Sequence, residues 1–310
     1  MKESPEAKRA RLLNLAKESV TSAYSSGEHA IAQAIVSYNE LDKMRNLVHE
    51  KLEEWYGIHF PELRLSNQLT YAKFVAEFGL DKKAASKERL AEILGTGSDT
   101  VMRQIEASMG QEPSPEEYDA LKDLAELELD ISNRMERLDK YIEKSTKALM
   151  PNITYLIDYK IAAELLAKAG SLAKLSIMPA GTIQLLGAEK ALFKHLKFGS
   201  RPPKYGVLFK LPQINTAGRF ERGRLARIYA TKLSIAARAD GISKNFIADK
   251  LKEQLDKAIA LQAKKPKRQG PAPMQHERRG GEQHFRQGQK RWDRPRQGHG
   301  GGRRWQDRRR

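Results

Sequence analysis

From Ile31 the apolar positions recur every three or four residues through Ile35, Tyr38, Leu41, Met44, Val48, Leu52 and Trp55. That spacing marks one face of an α-helix, and it predicts a helix of about 30 residues, roughly 45 Å long. Pro61 ends the run by removing a backbone donor. A second stripe, Leu121, Leu124, Leu127, Ile131, Met135, Leu138 and Ile142, continues to about Leu149 and opens at Pro113-Ser114-Pro115-Glu116-Glu117, a helix start. Neither helix hides its stripe alone, so the two predict an antiparallel coiled coil. Residues 64–112 between them read as shorter helices broken at Gly79, Gly95-Thr96-Gly97 and Gly110, with Ser98-Asp99 as the N-cap of Val101–Met109. In front, Leu12, Ala16 and Val20 give Lys8–Ala23 a shorter stripe that stops at Ser25-Ser26-Gly27.

Beyond Pro151 the pattern shortens and turns basic. Pro179, Gly181 and Gly187 punctuate the chain before a helix whose Lys190, Lys194 and Lys197 share a face. Ala188, Leu192 and Phe193 are expected to pack inward opposite them, with Leu196 close to the same side. The free N–H groups at the start of that helix make an anion site. Arg201-Pro202-Pro203-Lys204 cannot continue a helix and holds two charges on a stiff connector. A further helix from about Phe220 carries Arg224, Arg227, Thr231, Ser234 and Arg238 opposite Leu225, Tyr229 and Ala236, and another from about Ser243 to Gln262 packs Ile247, Leu251, Leu255 and Ala258 back on the module. A single charged stripe is as readily a solvated surface. Two stripes and a basic connector within residues 151–240 point instead to a phosphate backbone.

Charge sharpens the division. Residues 1–150 carry 21 Lys/Arg against 27 Asp/Glu, residues 151–240 carry 15 against 5, and residues 264–310 carry 16 against 4, within a formal net charge of +17. The acidic front half is therefore not the nucleic-acid surface. After Lys264, Gly, Gln, Pro and Arg dominate, with Phe285, Trp292 and Trp305 as the large apolar residues, so a disordered tail is expected. Arg279-Gly280-Gly281 and Gly300-Gly301-Gly302-Arg303-Arg304-Trp305 resemble arginine-glycine RNA tails, in which guanidinium groups meet phosphate and aromatics stack on bases.

The absence of cysteine excludes disulfides and thiolate metal sites. His29, His49, His59 and His195 lack ligand spacing or an evident acid partner, and no phosphate-binding loop, zinc-protease helix or nucleophile elbow occurs. No catalysis, cofactor or metal is expected. No run of about eighteen apolar residues is present, and no apolar core follows Met1-Lys2-Glu3-Ser4-Pro5. The expectation is a cytoplasmic protein without membrane contact, nucleolar in a eukaryotic source.

Three blocks in the basic region carry a family resemblance. Gly187-Ala188-Glu189-Lys190-Ala191-Leu192-Phe193, Arg201-Pro202-Pro203-Lys204-Tyr205-Gly206 and Arg222-Gly223-Arg224-Leu225-Ala226-Arg227, closed by Ala236-Ala237-Arg238-Ala239-Asp240, resemble the Nop domain of archaeal box C/D ribonucleoproteins, which guide RNA 2′-O-methylation. Trp55-Tyr56-Gly57-Ile58-His59-Phe60-Pro61-Glu62-Leu63 resembles the turn after the first coiled-coil arm in the same family. The resemblance implies an all-α protein: a short N-terminal helix (1–27), a coiled-coil arm (28–150) with a helical tip (64–112), a compact Nop domain (151–263) and a disordered Arg/Gly-rich tail (264–310).

It also implies partners. A box C/D guide RNA with a kink-turn would meet Lys190, Lys194, Lys197, Arg201, Lys204, Lys210, Arg222, Arg224 and Arg227, with Lys210 and the loop to Phe220 reaching an RNA stem end. In that loop Asn215-Thr216-Ala217-Gly218-Arg219 is more polar than the family pattern. A kink-turn-binding protein of ribosomal type would meet Ala188, Glu189 and Phe193. A homodimer would form through Ile31, Ile35, Tyr38, Leu41, Val48, Leu124, Ile131 and Leu138. Archaeal members carry an N-terminal domain that docks the methyltransferase fibrillarin. Only about 27 residues precede this arm, so that domain is not expected in its usual form: either a separate chain supplies the docking, or the protein keeps RNA assembly without recruiting the methyltransferase. Two functions thus fit the sequence: a non-catalytic scaffold of a box C/D-type guide particle, or a coiled-coil adaptor whose basic tail binds RNA without selectivity.

Overall fold

The computed structural model describes residues 4–25 and 27–263, without the side chains of 19–25 and 96, and its regular elements are all helical. α1 (Pro5–Ser25) leads through Gly27 into α2 (Glu28–Tyr56); α3 (Gln68–Phe78), α4 (Lys87–Leu94) and α5 (Ser98–Ala107) are short, and α6 (Pro115–Leu149) is long. The remainder comprises α7 (Pro151–Leu156), α8 (Tyr159–Ala169), α9 (Leu172–Ile177), α10 (Ala180–Leu185), α11 (Glu189–Phe198), α12 (Pro212–Asn215), α13 (Arg222–Arg238) and α14 (Ala248–Ala263). The expected tail from Lys264 lies outside the described residues.

Local chemistry explains several boundaries. The Ser114 hydroxyl accepts from the Glu117 N–H at 3.3 Å while Glu117 Oε2 accepts from the Ser114 N–H at 2.9 Å, a reciprocal cap with Pro115 in the first turn of α6. α2 ends at Tyr56, before Pro61, because Gly57 to Phe60 turn back on the helix end. Ser98-Asp99 does not cap α5 as expected. The 3-10 turn Gly95–Gly97 runs straight into that helix, leaving no extended residue to serve as a cap, so Ser98 is buried inside it and Asp99 pairs with Lys87 at 2.8 Å. The α1 stripe is uncovered: Leu12 and Ala16 are exposed.

α2 and α6 pair antiparallel. Ile31 and Ile35 share a core with Ile142, Leu52 shares another with Leu121, and His49 meets Glu128 between them. The contact seam is not the one the apolar spacing suggested. Met44, Trp55 and Leu127 are exposed or at the rim, while Arg45 and His49 of α2 face Glu128 and Ser132 of α6 in the middle of the arm. The arm is thus a rod of roughly 50 Å by helical rise with a polar middle and an apolar cluster at each end. The distal cluster joins α2, α6 and the short helices around Tyr56, Phe60, Tyr71 and Phe74. Buried Lys82 ties that tip together, its Nζ donating to His59 O (2.7 Å), Ser108 Oγ (2.9 Å) and Gly110 O (2.9 Å).

The proximal cluster is shared by the arm base and the module: Ile31, Ala34, Ile35 and Ile142 pack with α8, α9, α10, α13 and α14. Ile31 and Ile35 are therefore buried within the chain itself, Ile131 is buried further along the arm, and Tyr38, Leu41, Val48, Leu124 and Leu138 are half-buried. Across the junction Lys160 Nζ donates to Tyr38 Oη at 3.0 Å and pairs with Asp139 at 3.0 Å, and Asn39 donates to Glu164 at 3.3 Å. Asp240, only 2% exposed, closes the module: it accepts from the N–H groups of Asn152 (3.0 Å) and Ile153 (3.0 Å) at the start of α7 and from the Asn152 side chain at 2.7 Å. Asn152 in turn donates to Asn245 O and accepts from Ile247 N, which fixes the approach to α14. That helix starts at Ala248 because a π-turn, Ala239–Ser243, and Lys244 with φ 56° intervene.

Candidate nucleic-acid interface

Three glycines let the separated basic blocks meet. Gly187 has φ 89°, and a Cβ there would lie 2.7 Å from Val207 Cγ2. At Gly206 a Cβ would fall 2.0 Å from Leu186 O, so the connector touches the end of α10 backbone to backbone. Two hydrogen bonds fasten it, Gly206 N to Gln184 O (3.0 Å) and Val207 N to Leu186 O (2.8 Å). The buried Gln184 amide also donates to Lys204 O at 2.6 Å, and Gly223 at the start of α13 sits against the Lys204 stem. The helix start, the connector and the first turn of α13 are thereby held as one surface. Gln184 was not singled out from sequence. Its signal was a polar residue inside the apolar run Ile183-Gln184-Leu185-Leu186.

α11 is held by its ends. Glu189 Oε1 accepts from the Gly187 N–H at 2.6 Å, so one donor expected to face an anion is satisfied internally. Burial opposes ionisation of Glu189, but this bond, the N–H of Glu189 itself and the Lys168 charge together keep the carboxyl below its usual range. At the other end Gly199 (φ 64°) closes the helix, and His195 Nδ1 meets Ser200 O. No residue of α11 is buried. The expected inward packing of Phe193 and Leu196 is therefore wrong: Phe193 is 68% exposed, Leu196 71% and Phe198 70%. Among the described residues no neighbouring helix covers that face, because the fold grips α11 through its turns and not through its side. Ala188 is half-buried beneath Glu189 at the helix start.

The cations sort by partner. Lys190, Lys194, Lys197, Arg201, Lys204 and Arg227 are exposed and Arg224 is half-exposed, and among the described residues none has a carboxylate partner. On the arm the contrast is plain: Lys43, Lys51, Lys122, Arg134, Lys140 and Lys147 each pair with an acid three or four residues away. Those pairs belong to a solvated helix face. Two of the sequence-selected cations are already engaged. Lys210 pairs with Glu164, and Arg222 donates to Ala217 O (3.0 Å) and Asn215 O (2.9 Å) while lying over the Phe209 ring, itself stacked on Tyr205. Arg222 thus braces the loop before α13. Ser234 is buried under the α13 stripe, bonded to Thr231 O at 2.9 Å, and leaves the basic face to Arg224, Arg227, Thr231 and Arg238.

Arg224 and Arg227 also line an open groove of about 610 Å³ between α13 and α14, together with Ile228, Thr231, Ala258, Leu261 and Gln262. Among the described residues no group of acids and histidines is placed to hold a metal ion, and no helix is long and apolar enough to cross a membrane.

An all-helical frame that fixes these cations, unpaired with any carboxylate among the described residues, on well-braced elements presents a face of the kind that suits a polyanion. The chain belongs to the Nop family: the family model described as a snoRNA binding domain, fibrillarin, matches residues 37–261. An uncharacterized NOP5 family protein of Methanocaldococcus jannaschii is 37% identical over 257 residues, covering 82% of this chain and 62% of the relative. Nucleolar protein 58 of Debaryomyces hansenii is 38% identical over 218 residues (69% and 42%), and that of Saccharomyces cerevisiae 35% over 246 residues (75% and 48%). The chain thus spans between 42% and 62% of the length of these curated relatives. A solved fibrillarin/Nop5p complex aligns over 83% of this chain and 78% of that one, with a TM-score of 0.42 and 23% identity.

Proposed function

We propose that the protein is a non-catalytic RNA-binding scaffold of a box C/D-type guide ribonucleoprotein. Residues 28–150 serve as its arm with a tip at 64–112, residues 151–263 as its RNA-binding module, and residues 264–310 as a basic tail. The module clamps a kink-turn RNA together with the ribosomal-type protein that holds it. The observation that carries this reading is α11, where uncovered Phe193 and Leu196 share one short helix with Lys190, Lys194 and Lys197. A helix that offers lysines to phosphate and an aromatic-aliphatic face to protein suits a composite partner. Arg201, Lys204, Arg224 and Arg227 continue the cationic track, while Lys210 and Arg222 hold its frame.

Dimerisation of the arm fits the side chains left outside the α2–α6 seam, Val36, Met44, Leu47, Leu127 and Tyr141, all exposed. Support for RNA 2′-O-methylation would come through a fibrillarin-type methyltransferase, which the family description names. The test is a gel shift with kink-turn RNA, with and without its kink-turn protein. The scaffold binds the assembled pair far more tightly than naked RNA, and Lys190→Ala with Arg224→Ala abolishes the difference. Equal binding to any RNA, lost with the tail alone, would establish the adaptor reading instead.

A further inference from the structure

A second uncovered apolar surface sits where α7, α9 and the approach to α14 meet. Ile177, at the end of α9, is 72% exposed and Ile242, in the π-turn, 66%; Tyr155 of α7 and Phe246 just past the turn are half exposed. Gly241 brings these elements together. A Cβ there would lie 2.7 Å from Ser176 Cβ and 3.4 Å from Leu172 O, so the turn presses on α9, and the next residue of each, Ile242 and Ile177, emerges at that contact. The rings of Tyr155 and Phe246 meet edge to face, 5.7 Å apart at 87°. Single apolar side chains on a surface are ordinary, but four large ones around one turn form a patch.

The patch is held in place. Asp240 ties the turn to the start of α7, and Asn152 fixes both neighbours of Phe246: it donates to Asn245 O at 2.9 Å and accepts from Ile247 N at 2.7 Å. The turn itself is uncommon. π-Geometry is rare and gathers at functional sites, and Lys244 takes φ 56°, a region that suits glycine better than lysine. The chain carries a charge at a position where glycine would fold more easily.

Charge indicates what covers the patch. The exposed charges on α9, the π-turn, the first turn of α14 and the end of α7 are Asp158, Lys174, Lys244, Asp249 and Lys250. Both acids are engaged: Asp158 accepts from the Lys160 N–H at 2.8 Å, and Asp249 accepts from the Tyr155 hydroxyl. None of the three lysines forms an ion pair among the described residues, although Lys244 lies near enough to buried Asp240 to favour its charge. The open charge beside the patch is therefore positive. Its centre is two branched aliphatics, which offer no flat face to a base, and the two rings already face each other, so a nucleic acid fits poorly. An amphipathic helix fits better, with apolar side chains at three- and four-residue spacing for the isoleucines and acids for the lysines.

We propose that this patch docks a short acidic amphipathic helix of another protein. None of the cations on the RNA track belongs to it, so failure of the RNA reading would leave it untouched.

The test displays random peptides of about sixteen residues, a little over four helical turns, and selects them on the full chain. Peptides that also bind Ile177→Glu with Ile242→Glu are discarded, which removes those held by basic regions that the variant retains. Both isoleucines are exposed, so parent and variant should melt together; if the glutamates lower the melting temperature, serines at the same two positions serve for the subtraction. The survivors should be acidic, with leucine, isoleucine or phenylalanine every three or four residues. One of them, labelled and titrated by anisotropy, should bind Phe246→Ala about tenfold more weakly. It should bind Lys244→Gly about threefold more weakly, although that variant melts no lower than the parent. Lys190→Ala with Arg224→Ala should leave its affinity unchanged.

No survivors, survivors that are basic or lack the apolar spacing, or a peptide displaced by the Lys190 and Arg224 changes would overturn the proposal. A uridine oligomer of about sixteen nucleotides that loses affinity with the isoleucine pair would make the patch a nucleic-acid surface instead. Assembly of the full chain in sedimentation that the same pair dissolves would give the patch to a second copy.

Discussion

Replacing His49 and Glu128 together by leucine should stabilise the protein, although both are fully packed and in contact. Glu128 has no exposed surface, and one of its oxygens, Oε2, meets His49 Nδ1 at 3.2 Å. Among the described residues its Oε1 has no partner, nor have Arg45 Nε and Ser132 Oγ on the facing helices. Tyr71 of α3 contributes only a ring edge, 5.5 Å from the imidazole. Burial pushes the Glu128 carboxyl up, and His49 and Arg45 only partly restore it. A buried carboxyl and imidazole with a lone pair left over do not recover their desolvation. The double leucine variant is therefore expected to gain about 1–4 kcal/mol, read as a rise of several degrees at about 2–4 °C per kcal/mol for a chain of this size.

His49→Leu alone should do the reverse and lose about 3–5 kcal/mol at pH 7.5, because it strands the carboxylate. The sign of its pH dependence follows from the raised pKa. A carboxyl that holds its proton more tightly when folded contributes most below its unfolded pKa, and that contribution disappears as pH rises through the folded value. The deficit of His49→Leu should thus shrink between pH 7.5 and 5.0. Thermal melts followed by circular dichroism at both pH values measure all three quantities. A double variant more than about 1 kcal/mol less stable than the parent, or a single variant whose deficit grows on acidification, would refute the account of the seam.

Lys82→Met removes three hydrogen bonds that join the α2 turn to the end of α5; a loss of about 2–3 kcal/mol is expected, with faster amide exchange confined to residues 57–63 and 108–111. Asp240→Asn sets an amide donor against the N–H of Asn152 or Ile153, so the melting temperature should fall by several degrees, at about 1–3 kcal/mol for an unsatisfied buried donor; no fall would remove Asp240 as the cap of α7. Gly206→Ala forces a Cβ to 2.0 Å from Leu186 O, displacing Arg201 and Lys204 from α13. Binding to an assembled kink-turn should drop about tenfold or more if those charges act from fixed positions, whereas retained affinity would show that their placement is irrelevant.

Helices were legible because burial imposes a period, and period is a property of sequence alone. The seam was less so. Leu41, Met44 and Val48 obey the spacing as well as Arg45 and His49 do, and what selects the polar set is Glu128 and Ser132 on a helix some eighty residues away. Phe193 failed for a related reason: its spacing is that of a core face, but no helix among the described residues packs against it. The tip core was foreshadowed only as short helices, since the acceptors of Lys82 come from two turns some fifty residues apart, His59 after α2 and Ser108 with Gly110 after α5.

The same distinction governs the basic face. Lys190, Lys210, Arg222 and Arg224 are equivalent in a charge count, yet Glu164 claims Lys210 and two backbone carbonyls claim Arg222, while Lys190 and Arg224 have no such partner among the described residues. A cation already paired must break its contact before it meets phosphate, so it adds less to affinity than one whose charge is uncompensated. Density of Lys and Arg therefore locates a cationic surface, but only the tertiary partners separate cations left open to an anion from those that brace the fold. Arg222→Ala should accordingly lower the melting temperature and leave the salt slope of RNA binding nearly intact, whereas Lys190→Ala should reduce that slope by about one contact with little change in stability. If the two variants exchanged these signatures, the division between bracing and binding cations would be wrong.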